Sequence, residues 1–465
     1  MTHYIQTAFF VFAVFVAVSV HGQVTTPSAE QLAALEKAKT DSLTAINYQQ
    51  LLNMLDITLP VLPDKATDPK RPKNTFQKDA IYLDKEGHRY SRTQWGDWIN
   101  FDENLAKDYT LPDPLVLKNG KAVINAQIWW KQRRPEIVTD YETEIFGRVP
   151  KNTPKVTFDA SNVDNTALDG TAIKKTITGR IDNSAYPDAR PVINLVLYSP
   201  AKAKGPVPLM VIASSNTSGN NQIIKLLISG GWAVALFDTN SLQADNGAGL
   251  SQGIIGLVGH GKARNPEDWG TLRAWSWGLS RALDYLQTDK AINSKQIGIA
   301  GHSRWGKTVL LAGAMDARWA IVFASCSGSL GASLERRIFG ETVGVVAGQS
   351  EYHWMAPNFV KYGGNWKTTL PVDAHDMMAL IAPRPLFITG GTQDIWADPQ
   401  GEFEACVAAT PVYRLLGKTG ITTNEIPAPD VSLINGELAF RNHEGGHTDM
   451  PDCPVFIEFA KKYFK

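Results

Sequence analysis

Beyond residue 155 the chain alternates short, nearly unbroken apolar runs with longer segments whose apolar positions recur at helical spacing. The runs at 192–198, 208–213, 233–237, 297–300, 320–324 and 385–389 predict strands. The PLMVIA run at 208–213 has the pattern of a strand buried on both faces. Helices are predicted at 223–229 and at 272–287, where Trp275, Leu279, Leu283 and Leu286 share one face. A strand at 436–440 and a last helix over 455–463 close the chain. Strand–helix alternation of this kind predicts an α/β fold, a three-layer sandwich with a mainly parallel sheet covered on both faces. In such sheets the site lies at the carboxyl ends of the strands.

The first third of the chain has a different texture. The run from Ala8 to Val20 is too short for a comfortable membrane span, and Val20-His21-Gly22 fits a small-residue cleavage site. Residues 1–22 are therefore expected to be a secretory leader, giving a periplasmic or extracellular protein with no stable membrane insertion after its removal. Residues 29–56 predict a helix whose Leu32, Leu35, Leu43, Ile46 and Leu51 are expected to pack on a larger body. Pro60, Pro63, Pro69 and Pro72 then enforce an extended path. The expected organisation is an N-terminal arm over 23–150, extended and helical, and a catalytic body over 151–465.

Composition narrows the function classes. The 46 basic and 46 acidic residues cancel, so no basic field favours nucleic acid. The three cysteines, Cys326, Cys406 and Cys453, form no C-x-x-C pair and no Cys/His spacing for zinc, and buried free thiols are expected. No metal and no cofactor is expected, and a monomer is expected.

The chemistry concentrates at 296–314. The apolar strand there turns sharply through Gly301-His302-Ser303-Arg304-Trp305-Gly306 into a helix carrying Val309, Leu310 and Ala314. A serine at such a turn stands where free N–H groups and the helix dipole stabilise an oxyanion. The second glycine falls one place later than the usual G-x-S-x-G spacing, so a plain helix cap is the competing explanation. A serine nucleophile needs a base, and in this architecture the order is serine, acid, histidine. That order leaves His447 and His443, with His447 favoured because two glycines precede it. In the loop after the 385–389 strand Asp394 and Asp398 compete for the acid. Asp394 is nearer the strand end, and Asp398 precedes Pro399, which suits a turn or helix cap.

These segments together resemble the glucuronoyl esterases of carbohydrate esterase family 15, bacterial branch. The nucleophile motif G-[CH]-S-R-x-G-K is met by Gly301 to Lys307, which also accounts for the late glycine. Arg337 to Thr342, Ala379 to Pro385 and Asp394 to Pro399 match further family segments. The resemblance implies an α/β-hydrolase fold and hydrolysis of esters between (4-O-methyl-)D-glucuronic acid on xylan and lignin alcohols. It implies Ser303 as nucleophile, His447 as base, Arg304 in the oxyanion hole, and Lys307, Glu341 and Trp396 as ligands of the uronic acid sugar. Many members carry the triad acid as a Glu at the end of the next strand, where this chain has Cys326. A neutral thiol is a poor acceptor, so the acid role is assigned to Asp394, as in other bacterial members. Two other readings compete: an acetyl xylan or feruloyl esterase sharing the triad, and a glycan-binding protein on a hydrolase scaffold.

Overall fold

The computed structural model describes residues 27–64, 67–68, 92–364 and 369–464. The leader expected over 1–22 and the prolines at 69 and 72 lie outside the described residues. The chain divides into two compact units, one ending at Leu43 and the other spanning Thr44–Lys465. Among the described residues no helix is long and apolar enough to cross a membrane.

The larger unit is built on one ten-stranded sheet. Its strands are β1 (Val156–Asp164), β2 (Ala172–Ile181), β3 (Val192–Pro200), β4 (Val207–Ser214), β5 (Ala233–Asp238), β6 (Ile292–His302), β7 (Ile321–Ser325), β8 (Leu386–Gly391), β9 (Ser432–Leu433) and β10 (Leu438–His443). They lie in the order β1-β2-β3-β5-β4-β6-β7-β8-β10-β9. The block β5-β4-β6-β7-β8-β10 is parallel, and antiparallel strands flank it on both sides.

Seven longer helices matter for the argument: α1 (Ala29–Met54), α2 (Asn221–Ser229), α3 (Thr271–Leu286), α4 (Arg304–Met315), α5 (Ala374–Ile381), α6 (Pro399–Leu415) and α7 (Cys453–Ala460). Alternate residues of the central strands sort onto two faces. Leu209, Val211, Ile297, Ile299, Val322 and Ile388 join the cluster that contains α3, α4, α5 and α6. Met210, Ala300, Ile321, Phe323 and Phe387 join α2 and α7 on the other side. There the Phe323 and Phe456 rings stack at 4.9 Å, and burying each such side chain contributes about 1.5–3 kcal/mol. This is the three-layer sandwich with a mainly parallel sheet that the apolar pattern predicts, in the α/β-hydrolase form that the resemblance implies.

One expectation for α1 fails. Leu32, Leu35, Leu43 and Ile46 are exposed, and only Leu51 of the five is buried. The burial is carried by Tyr48, Leu51 and Leu52, whose i, i+3, i+4 spacing forms a stripe that the earlier leucines do not continue. Alanine and unbranched polar residues dominate the first turns, so helical propensity holds them without a packed face. All three cysteines are buried free thiols.

Candidate active site

Four adjacent parallel strands deliver the site. Ser303 follows β6, Cys326 follows β7, Asp394 lies three residues beyond β8, and His447 follows β10. Parallel pairing brings all four to one sheet edge, the register matching His302 with Ser325 and His443 with Gly391.

Ser303 stands where the N-cap of α4 would be, yet its side chain makes no capping bond and its backbone is at φ 60°, ψ −130°. An ordinary serine cap is extended and bonds the first turn, so the plain-cap explanation fails. Such a conformation costs about 1–3 kcal/mol and persists only where the surroundings enforce it. Gly301 shows how: a Cβ there would lie 2.3 Å from the Trp305 carbonyl oxygen. Gly306 fits against the next strand's loop, where a Cβ would meet Ser327 Cβ at 2.8 Å, and this close approach explains the late glycine.

His447 Nδ1 faces Asp394 Oδ2 at 2.6 Å, with the carboxylate buried. An ionised carboxylate fixes the ring proton on Nδ1 and leaves Nε2 as the free base. The loops carrying the pair are laced together: Gln393 N donates to Gly445 O at 2.7 Å, and Gly445 N to Thr392 Oγ1 at 3.1 Å. The His447 ring lies 4.3 Å from that of His302, the residue before Ser303. Burial, followed by the neighbouring His447, lowers the His302 pKa to about 4, so His302 stays neutral beside the base.

The competing candidates have other partners. His443 is buried, with Nδ1 at 2.9 Å from Asp452 Oδ2 and Nε2 at 3.0 Å from the Gly446 carbonyl. Asp398 caps α6 by accepting from Gly401 N at 3.1 Å, and it pairs with Arg337. Cys326 lies against the His447–Asp394 pair, its Sγ, a carboxylate oxygen and an imidazole nitrogen all within 4.8 Å of one another. Burial first, then the Glu402 and Asp394 carboxylates, pushes the thiol well above its ordinary value, so it is neutral. Cys, Asp and His also form a metal donor set. The 2.6 Å approach of Nδ1 to Oδ2, however, is a hydrogen bond, shorter than the roughly 3.3 Å between two ligands held about 2.0–2.2 Å from one tetrahedral zinc.

Arg304 opens α4, and its Nη1 donates to Asp245 Oδ2 at 2.6 Å while its guanidinium lies 5.0 Å from the Trp354 ring centre. Burial works against the Asp245 charge. The hydrogen bond to His353, the Arg304 charge and the Trp354 N–H still hold its carboxyl at about 2. Lys307, one turn further on, is buried and donates at 2.6 Å to Ser327 O, Ser329 O and Glu341 Oε2. Glu341 Oε2 also accepts from Ser329 N at 3.1 Å, and Glu341 N donates to Trp396 O at 2.8 Å. Lys307, Glu341 and Trp396 thus form one connected group beside the serine helix. Two supporting residues have no signature in the sequence. Asp245 sets the Arg304 guanidinium, and the buried Glu402 accepts from Ser327 N at 2.7 Å and fixes the loop whose carbonyls hold Lys307. Each lies in an ordinary polar stretch whose partners are distant along the chain.

A strained serine at a strand-to-helix turn, a His–Asp pair on the neighbouring strand ends and a cation at the helix start are the parts from which serine hydrolases are built, set here on the α/β-hydrolase fold. Comparison with known proteins narrows the class. The family profile described as "Glucuronyl esterase, fungi" matches residues 189–417. A carbohydrate esterase from an unidentified prokaryote is 36% identical over 78% of this chain and 91% of its own length. A glucuronoyl esterase of family CE15 from Teredinibacter turnerae superposes with a TM-score of 0.78 at 38% identity, over 90% of this chain and 99% of that one. A 4-O-methyl-glucuronoyl methylesterase from Wolfiporia cocos is 29% identical over 66% of this chain and 72% of its own. The chain belongs to carbohydrate esterase family 15, the glucuronoyl esterases, and is a carboxylic ester hydrolase.

Proposed function

We propose that the protein is a secreted serine esterase, acting as a single chain on esters that join (4-O-methyl-)D-glucuronic acid of xylan to lignin alcohols. The observation that carries the mechanism is the 2.6 Å His447–Asp394 bond at the same sheet edge as the strained Ser303. His447 Nε2 takes the proton of Ser303 as Oγ attacks the ester carbonyl carbon. The resulting oxyanion is met by the Arg304 N–H, unpaired at the helix start, and by its guanidinium. Collapse of this intermediate expels the alcohol, which takes the proton from His447 and leaves an acyl-serine. Water then gives a proton to His447 and attacks the acyl carbon. Ser303 leaves with that proton, and the free uronic acid is released.

The sugar-reading role of Lys307, Glu341 and Trp396 is supported by their connection into one group. All three Lys307 N–H bonds are engaged, so Lys307 acts by holding the Glu341 carboxyl group in place. The Lys307 and Ser329 hydrogen bonds both fall on Glu341 Oε2, and Oε1 is the oxygen that accepts from a sugar hydroxyl. The half-buried Trp396, 6.4 Å from the Phe101 ring, offers an apolar face. The leader-like residues 1–22 support export to the periplasm or medium. Turnover of benzyl glucuronate against p-nitrophenyl acetate tests the substrate reading: a strong preference for the glucuronate ester is expected, and preference for the acetate favours an acetyl esterase.

A further inference from the structure

Glu351 Oε2 is buried and has no hydrogen-bond partner among the described residues. Buried polar atoms are nearly always paired, so an orphan of this kind calls for a missing partner. Its position says where that partner comes from. Glu351 stands directly before the short turn Tyr352–Trp354, and the Trp354 ring lies 5.0 Å from the Arg304 guanidinium and 5.8 Å from the Lys307 ammonium. The segment therefore packs against the two cations of the candidate site. The charged groups acting on Glu351 are Glu341, Lys307, Arg304 and Asp245. Neither cation reaches Glu351 Oε2 with a hydrogen bond among the described residues: the three Lys307 protons go to other acceptors, and Arg304 Nη1 turns to Asp245. His353, on the same turn, faces Asp245 at 3.0 Å, and burial keeps it neutral.

Burial first, and then the charge of Glu341, pushes the Glu351 carboxyl up to about 8. At neutral pH it is an acid with a proton to give, and Glu341 Oε2 nearby accepts from Lys307 and Ser329. A sugar ring presents both needs. Its hydroxyls donate, while a ring or ether oxygen accepts only. We infer that Glu351 is a specificity-determining residue of the sugar subsite, donating its carboxyl proton to a ring or ether oxygen of the bound uronic acid while Glu341 accepts from a hydroxyl. The inference rests on the glucuronate-ester reading and adds a second, proton-donating carboxyl to that site.

The test is KM and kcat for benzyl glucuronate and p-nitrophenyl acetate, from about pH 6 to about pH 9.5, in the parent, Glu351→Ala and Glu351→Gln, using the shift to about 8 as the guide. On the sugar ester the parent KM should rise above pH 8, as the acid ionises beside Glu341. Glu351→Ala should raise KM about tenfold at neutral pH. Glu351→Gln keeps an N–H donor that does not titrate, so it should stay near the parent at neutral pH and lack the alkaline rise. The acetate, which has no sugar oxygens, should lose less and show no such rise. Parental KM in Glu351→Ala, an alkaline rise that survives in Glu351→Gln, or equal losses on both esters would overturn the inference. If Glu351→Ala does not fold, the Glu351→Gln profile decides. A parent that turns over benzyl glucuronate with unaffected Glu351 variants removes this inference alone. A parent inactive on that ester removes the substrate reading and this inference with it.

Discussion

Cys326 Sγ and a carboxylate oxygen of Asp394 lie within 4.8 Å of each other and of a His447 nitrogen, so two neighbouring strand ends address one imidazole. Burial keeps the Cys326 thiol neutral, so it cannot balance an imidazolium. Asp394→Asn keeps the shape but neither balances the imidazolium nor fixes its tautomer, and kcat should fall about 10²–10⁴-fold. Adding Cys326→Glu should restore part of that rate, since Asp394→Asn also removes one of the charges opposing ionisation at position 326. Steady-state kinetics of the single and double variants check this. A folded double variant no faster than Asp394→Asn would show that the two strand ends are not interchangeable supports.

Asp398→Asn separates structure from catalysis. Asp398 is buried, paired with Arg337 and bonded to Ser333 Oγ at 3.1 Å. Arg337 keeps Glu103 and Glu404, so the substitution loses one buried hydrogen-bonded partner and should cost about 1–3 kcal/mol of stability. Thermal melting should drop while kcat of the folded enzyme stays near the parent. Loss of kcat here, with full activity in Asp394→Asn, would mean that the other aspartate supports the base.

What the sequence made legible follows a physical division. Strands buried on both faces are continuous apolar runs, and β3 to β8 stand out for that reason. β1 is polar and largely exposed, β2 is polar and mostly half-buried on its outer positions, and both merge with loop. In α5 every residue is buried, which erases helical periodicity, and α6 carries Pro411 in its interior. Ser303, Asp394 and His447 could be named as candidates because strand order fixes where a triad would fall. Asp245, Glu402 and Glu351 could not. Their roles come from Arg304, Ser327 and Glu341, distant contacts that no spacing encodes.

Lys307→Ala and Glu341→Ala should each lower kcat/KM on glucuronate esters by about 1–3 kcal/mol, because each leaves a buried polar partner unpaired. The loss on p-nitrophenyl acetate should be smaller. Parallel kinetics on the two substrates check this, and equal losses would assign the pair to the fold.

His443 predicts a pH dependence of stability. Burial opposes its charge and Arg441 adds to that opposition, but the Asp452 hydrogen bond and charge and the Gly446 carbonyl raise its pKa. A group raised in the folded state stabilises fully below its unfolded value, about 6.5, and loses that contribution as pH rises through the folded value. Melting temperature should therefore fall from pH 6 towards alkaline pH, and His443→Gln should flatten that fall. An unchanged slope in the variant would assign it to other groups.

The most direct measurement is hydrolysis of benzyl glucuronate by the parent and by Ser303→Ala, with thermal melting to confirm that both are folded. The mechanism predicts turnover by the parent and a loss of at least about three orders of magnitude in the variant, with the fold intact. A folded Ser303→Ala protein within about tenfold of the parent would contradict a serine acyl-enzyme at this site.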